Sequence, residues 1–373
     1  MAFLFTKIPT EITILLFGGL GALGLCVGRL IVAYADRFRR ELAGGVPDRA
    51  SDGGSGRSPI PTGDGVGHDG HRLLSALPVF GSLRRGDSAH RLSRQHALLL
   101  EIGTALLFAL YVAAVLLLDC QRVEMVEPDK VWRYGRVFYH LFLISLLIAA
   151  TTTDLIDYLI PDEIPILGVI VAVLGAGISG DLQMVHLWFD WNQDGMLIDG
   201  QLQQGAYIPE WIRLHHHWHG LVWSVTGLVV GAGIIWLMRG VSSLLLGREA
   251  VGFGDVTLMA MVGSFIGWQP VCFVVLLAPL CGIVAGFAVK LFSGRTFIAF
   301  GPYLCLSTFL VLCSWRWLWE PARDIFGHIP SLAMLAAVSL GGLILLLILL
   351  RLYRAIPIES RRKEGTSRPE ELS

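Results

Sequence analysis

Nine stretches of this chain are apolar over lengths that suit a lipid environment, and they limit what the polypeptide can fold into more than any other feature. A helix crossing a bilayer core needs about 20 apolar residues. Runs of that kind fall at 11–33, 98–118, 137–153, 163–179, 219–238, 256–268, 271–292, 297–314 and 331–351. The sixth is short for a crossing and runs into Gln269-Pro270, which reads as a turn. Charged residues make up 16% of the chain, against about 25% in an ordinary soluble domain, so the apolar excess must face lipid. The expected fold class is therefore all-α, a polytopic transmembrane bundle of eight to nine spans. The first run is followed closely by charge and has no small-residue cleavage site, which predicts a retained helix and not a signal peptide.

Arginine placement sets the expected orientation. The 34–97 loop carries Arg37, Arg39, Arg40, Arg72, Arg84, Arg85, Arg91 and Arg94, and the tail carries Arg351, Arg354, Arg361 and Arg362. The positive-inside rule puts both on the cytoplasmic side, together with the 239–254 and 291–296 connections. Three regions are expected. Residues 1–97 hold the first helix and a cytoplasmic loop region, 98–315 the transmembrane core, and 316–373 an extra helix and basic tail. Within the core, 180–218 reads as an extracytoplasmic insert, and within the first loop 43–70 is rich in Gly, Pro, Ser and Asp and reads as a flexible insert. Trp315, Trp317 and Trp319 suit an interfacial belt. A net charge of −1 argues against nucleic-acid binding, which needs a basic surface. The six cysteines form no CxxC pair, so neither a zinc site nor a disulfide framework follows from their spacing; Cys272 and Cys281 read as core residues.

Carboxylates at membrane depth are costly and usually functional. Two segments carry them: Thr151-Thr152-Thr153-Asp154-Leu155-Ile156-Asp157, continuing to Pro161-Asp162, and Gly252-Phe253-Gly254-Asp255. In the expected topology both lie at cytoplasmic helix ends on one membrane face, so residues far apart in sequence can meet. Two close carboxylates hold one proton between them. One then takes a proton from water while the other protonates the scissile carbonyl of a peptide. Gly252 and Gly254 would let the backbone turn tightly and a substrate strand approach Asp255. Singly, each aspartate could be an ordinary helix cap; the two motifs together on one face favour the catalytic reading.

The block from Gly252-Phe253-Gly254-Asp255 through Val262-Gly263 resembles the GxGD motif of the type IV prepilin peptidases, a family of membrane aspartyl peptidases, with Thr257 where a lysine is common. The first segment is similar to that family's Asp followed by Leu/Ile-Pro-Asp, and Ala299-Phe300-Gly301-Pro302-Tyr303 to a late family motif. The resemblance runs over roughly 73–310. It implies a multi-pass protein of the bacterial inner membrane with Asp154 and Asp255 catalytic, and Asp157, Asp162, Gly252 and Gly254 shaping the site. It also implies cleavage of the basic leader of prepilin or pseudopilin precursors at the cytoplasmic face, in pilus or type II secretion pathways, with no cofactor needed for proteolysis. Many members also N-methylate the new N-terminus, which would bring in S-adenosylmethionine. Here the chain departs from the pattern. Gly86-Asp87-Ser88-Ala89 stands where the first zinc-binding cysteine pair would fall, so zinc is not expected. In an N-terminal family motif Gly28 and Arg37 keep the frame while Arg29 and Val32 replace the usual Ser and Asn. Whether methylation is retained stays open.

Asp190, Asn192, Asp194 and Asp199 resemble a calcium loop with its turn glycine at Gly195. Gln201 stands where the bidentate Glu belongs, so a plain acidic turn is the competing reading; any Ca2+ there would be structural. His215, His216, His217 and His219 precede a span and read as a polar collar or, less readily, a metal site. Two rival classes remain. A proton-coupled transporter would need polar groups at the bilayer midplane and usually repeated halves, which the sequence does not show. A non-catalytic membrane scaffold would tolerate loss of both aspartates.

Overall fold

The computed structural model describes residues 10–44, 92–123, 126, 130–188, 196–198, 201–203, 210–247, 251–293 and 300–355. In chain order the helices are α1 (Thr10–Gly44), α2 (Arg94–Leu117), α3 (Lys130–Asp157), α4 (Glu163–Ser179), α5 (Glu210–Leu214), α6 (His216–Leu246), α7 (Phe253–Ile266), α8 (Trp268–Ser293), α9 (Gly301–Gly327) and α10 (Ile329–Ala355). A two-stranded antiparallel hairpin, β1 (Met196–Ile198) with β2 (Gln201–Gln203), lies in the insert between α4 and α5, pairing Leu197 with Leu202. Each apolar run falls on a helix, and the fold is the all-α bundle that the hydropathy predicts. Among the described residues six helices are long and apolar enough to cross a membrane, while α4 and α7 are shorter apolar helices.

The centre of the bundle is α7. Fourteen residues rise about 21 Å, short of a bilayer core of about 30 Å. It is apolar on every side, and Leu258, Met259, Met261, Val262, Phe265 and Ile266 are all buried, as expected for a helix walled in by others. Glycines bring those walls close. A Cβ on Gly227 would collide with the Gly263 carbonyl, and one on Gly231 with the Met259 carbonyl, so α6 and α7 touch backbone to backbone. Gly168 of α4 leaves the space that the Met261 side chain fills. In lipid, where apolar burial drives helices together weakly, such small-residue contacts are the main source of packing. The turn after α7 is Gly267, at φ 83°, with the Trp223 indole filling the space a side chain would need. The turn thus comes before the expected Gln269-Pro270, and both of those residues already lie in α8.

α1 lies against α2 in the same way, Gly24 against Ala105 and Gly28 against Glu101, with Arg29 3.4 Å from the buried Glu101. At the end of the bundle opposite the two aspartates, residues 182–188 are strapped down by Gln269, which donates to the carbonyls of His186 (2.8 Å) and Leu187 (3.1 Å). The Trp268 indole also donates to Leu187 (3.0 Å).

α9 continues past the expected end at 314 to Gly327, and the tryptophans there do not form a belt. Trp315 and Trp319, one turn apart, are buried and stacked at 5.4 Å against each other. Trp315 meets Phe273 at 5.8 Å, and Trp319 meets Phe326 at 5.6 Å; only Trp317 points outward. Alternation on a helix, not interfacial chemistry, sets this pattern.

A branched side chain at the α6–α7 contact should be costly. Gly227→Val is expected to destabilise the bundle by about 1–3 kcal/mol, read as a lower thermal midpoint in detergent. Gly233→Val, on the same helix with nothing within 4 Å of its Cβ position, should leave the midpoint unchanged. Equal midpoints for both variants would refute the backbone contact.

Candidate active site

Two aspartates from distant parts of the chain meet at one end of this bundle. Asp154 lies in the last turn of α3, where Thr152 and Thr153 turn their hydroxyls back to the carbonyls of Ile148 (2.7 Å) and Ala149 (3.3 Å). These bonds satisfy the threonine hydroxyls within the helix and leave Asp154 to face the interior. α3 stops three residues later, with Tyr158 in the left-handed region at φ 53°. Asp255 is the third residue of α7, with Gly252 as N-cap, and it accepts a hydrogen bond from the Gly252 N–H. That is one arm of a capping box. Asp255 is therefore not the N-cap, a place that Gly252 holds, and the contact with Gly252 occupies only part of its carboxylate. Arg239 of α6 holds the approach to this turn by donating to the Val251 carbonyl at 2.7 Å.

Asp154 is 8% exposed and Asp255 7%, and each lies within electrostatic reach of the other. No salt bridge is found for either among the described residues. Ile160, in the α3–α4 connection, packs against the glycines next to the pair. It lies 3.3 Å from where a Gly254 Cβ would stand and 3.2 Å from where a Gly301 Cβ would stand. Gly301 opens α9, and a side chain there would run into Oδ2 of Asp154. One turn further along α9, Cys305 takes a hydrogen bond from Thr151 and lies near both carboxylates. The pair is thus enclosed by α3, α7, α9 and Ile160.

The other expected site residues are placed differently. Asp157 does not join the pair; it forms an ion pair with Arg39 of α1 at 3.4 Å. Asp162 is exposed at the start of α4 and makes no side-chain cap. Gly252 and Gly254 have no positive φ, so they are not there to make a left-handed turn. Gly252 lies beside Asp255, 3.5 Å from Oδ2 to its Cβ position, and Gly254 clears Ile160. Room, and not backbone freedom, explains them. Gly301, Ile160, Thr151 and Cys305 were not assigned roles from the sequence. Gly301-Pro302 at a helix start was a signal, but nothing in the sequence showed Ile160 packed against both Gly254 and Gly301.

The calcium-loop residues Asp190, Asn192, Asp194 and Asp199 lie outside the described residues, as does the 86–89 segment. His219 turns inward, accepting from the Leu187 N–H at 3.1 Å through Nε2, while His215, His216 and His217 are exposed. Among the described residues no group of three His, Cys, Asp or Glu could hold a metal ion. Cys272 and Cys281 are half-buried.

The described part of the chain is thus a helical bundle with membrane-length apolar helices and two enclosed carboxylates at one end. Comparison with known proteins narrows this. The model of the Type IV leader peptidase family matches residues 207–287, which include Asp255 and not Asp154. The chain is 31% identical over 136 residues to a prepilin leader peptidase/N-methyltransferase from Neisseria gonorrhoeae, covering 31% of this chain and 47% of that protein. It is 28% identical over 174 residues to the protein of that name from Escherichia coli K12 (42% and 76%). It is also 28% identical over 199 residues to the one from Pseudomonas putida (52% and 55%). The chain spans about half the length of the curated relatives it matches. No solved structure matches it. Over these segments the chain is similar to the prepilin leader peptidases, and six of its described helices are long and apolar enough to make it a multi-pass membrane protein.

Proximity of the carboxylates can be checked without any activity. In a background lacking native cysteines, Asp154→Cys with Asp255→Cys should be bridged by a short bifunctional thiol reagent, seen by mass spectrometry of linked peptides. Asp154→Cys with Gln269→Cys, at opposite ends of the bundle, should not. Bridging of the second pair but not the first would place the aspartates apart.

Proposed function

We propose that this protein is an aspartyl endopeptidase that removes the N-terminal leader of prepilin- or pseudopilin-like precursors at the cytoplasmic face of the inner membrane. The observation that carries this reading is the enclosure of Asp154 and Asp255, at two helix ends and within electrostatic reach of each other, in a chain whose residues 207–287 match the Type IV leader peptidase family. Asp154 lies outside the family match, so its role rests on the geometry.

Two such carboxylates share one proton. The ionised one takes a proton from a water as its oxygen bonds to the scissile carbonyl carbon. The protonated one gives its proton to the carbonyl oxygen. The resulting tetrahedral diol collapses as the carboxyl that took the water's proton passes it to the amide nitrogen, the other carboxylate takes back a proton from a diol hydroxyl, and the C–N bond breaks to leave an amine and a carboxyl product. Both carboxylates are then ready for another water. Gly301 leaves room beside the Asp154 carboxylate, Ile160 packs against Gly301 and Gly254, and Asp157, Asp162, Gly252 and Gly254 shape the approach from outside the pair. This chemistry uses protein groups and water alone, so no metal or organic cofactor is needed for cleavage. A calcium ion at Asp190, Asn192, Asp194 and Asp199 would stabilise the extracytoplasmic insert without entering the reaction. S-adenosylmethionine would be used only for methylation.

The test is cleavage of a co-expressed prepilin, followed by mass spectrometry of its N-terminus. Asp154→Asn and Asp255→Asn should each lower cleavage by about 10²–10⁴-fold at unchanged membrane levels. Persistent cleavage in both variants would remove the assignment. The wild-type product mass reads directly whether a methyl group is added. In purified enzyme, EDTA should leave the cleavage rate unchanged; a chelator-sensitive rate would mean a metal takes part.

A further inference from the structure

Beside the carboxylate pair lies a groove of about 460 Å³ between α2, α3 and α9. Leu100 and Leu107 of α2, Ile144 and Ile148 of α3, and Phe309 of α9 line it. Its polar lining residues are His96, Thr151, Thr152 and Cys305. Thr151 and Cys305 are hydrogen-bonded to each other, and Cys305 lies near both aspartates, so the groove is continuous with the candidate active site. Leu99, Leu155 and Leu306 form its rim and are exposed by 69%, 55% and 43%. The groove is therefore open sideways, toward lipid. Along α3 it runs from Ile144 to Ile156, about 18 Å of helix.

The chemistry of the groove restricts what can occupy it. At this depth no water is available to hydrogen-bond exposed backbone groups, so a polypeptide can lie there only as a helix. The walls are aliphatic, so the face it presents must be apolar. The groove leads to Asp154 at one end only, so the peptide bond to be cut must stand at the end of that helix. We propose that the α2–α3–α9 groove is the docking site for one apolar helix of the precursor, entering from the bilayer with its scissile bond at the helix end. The inference rests on the leader-peptidase reading and adds the surface by which that enzyme selects its substrate. Affinity comes from side chains at i, i+3, i+4 and i+7 seated along Ile148 and Leu100, while the leader before the bond remains outside the bilayer.

The experiment places the photo-crosslinking residue p-benzoyl-phenylalanine at position 100 or 148 in the full-length Asp255→Asn protein, with a co-expressed prepilin as probe. Position 283 serves as control, because Ile283 of α8 is exposed on another part of the surface. Light should link the prepilin's apolar segment to positions 100 and 148 and not to 283. In parallel, Ile148→Trp in the active enzyme should raise KM for the prepilin at least tenfold with kcat little changed. For a short soluble peptide carrying the same bond without the apolar helix, KM should be the same in wild type and variant. Normal cleavage by wild type with adducts only to lipid at 100 and 148, or with equal linking at 283, overturns the groove and leaves the peptidase reading intact. Absence of cleavage by wild type overturns both. If Ile148→Trp fails to accumulate, the crosslinking result decides alone.

Discussion

The structure depends on burying a helix too short to cross the membrane. α7 can sit at membrane depth only if its ends are satisfied by protein, because lipid offers no hydrogen bonds to free N–H and C=O groups. The glycine contacts of α6 bring a second backbone against α7, and Ser224 donates to the Ser264 carbonyl at 2.8 Å. At its start the Gly252 N–H is met by Asp255 itself. The same residue that closes the helix thus becomes the enclosed carboxylate. Were α7 long enough to span, its first turn would emerge into solvent and Asp255 would be an ordinary exposed acid.

The two ends of the bundle do different work, and α3 connects them. Toward its start, Tyr111 and His140 are 2.9 Å apart, with Gln121 3.3 Å from each. Gln121 also donates to the Leu312 carbonyl at 3.1 Å. This buried network ties the α2–α3 connection to α9 and so holds two of the three helices that reach the aspartates. At the other end of α3 the restraints are fewer and lighter. Arg39 faces Asp157 at 3.4 Å, and the Tyr34 hydroxyl donates to Glu163 at 3.3 Å. Partly exposed pairs of this kind contribute little energy, so the interior network and the glycine seams carry the scaffold.

The proposed peptidase would have two access problems, since water must reach the reacting bond and an apolar segment must not be stranded in water. Placing the carboxylates at a helix end, with an aliphatic groove leading away from them into the bilayer, meets both needs. The water side and the lipid side then converge on one pair of residues. The surrounding wall is built from α3, α7 and α9, whereas the family match covers α6 and α7 with most of α8. Much of what defines the site therefore lies on elements that the match does not reach.

The bundle, its helices and the pair Asp154 and Asp255 were legible in the sequence because apolar run length and the cost of a carboxylate in lipid are local properties. Each apolar run became a helix, and both aspartates fell at helix ends on one side. What the sequence could not decide was which face of each helix looks inward. That choice depends on rotation about the helix axis, which only packing sets. So Trp315 and Trp319 proved to be core residues, His219 turned inward, and Asp157 paired with Arg39 of α1 instead of joining Asp154. Ile160 and Gly301 became parts of the site for the same reason, through clearances of a few ångströms between elements far apart in the chain. Hydropathy determined that there would be helices in a membrane and carboxylates at their ends; backbone approach at glycine determined that those carboxylates would meet.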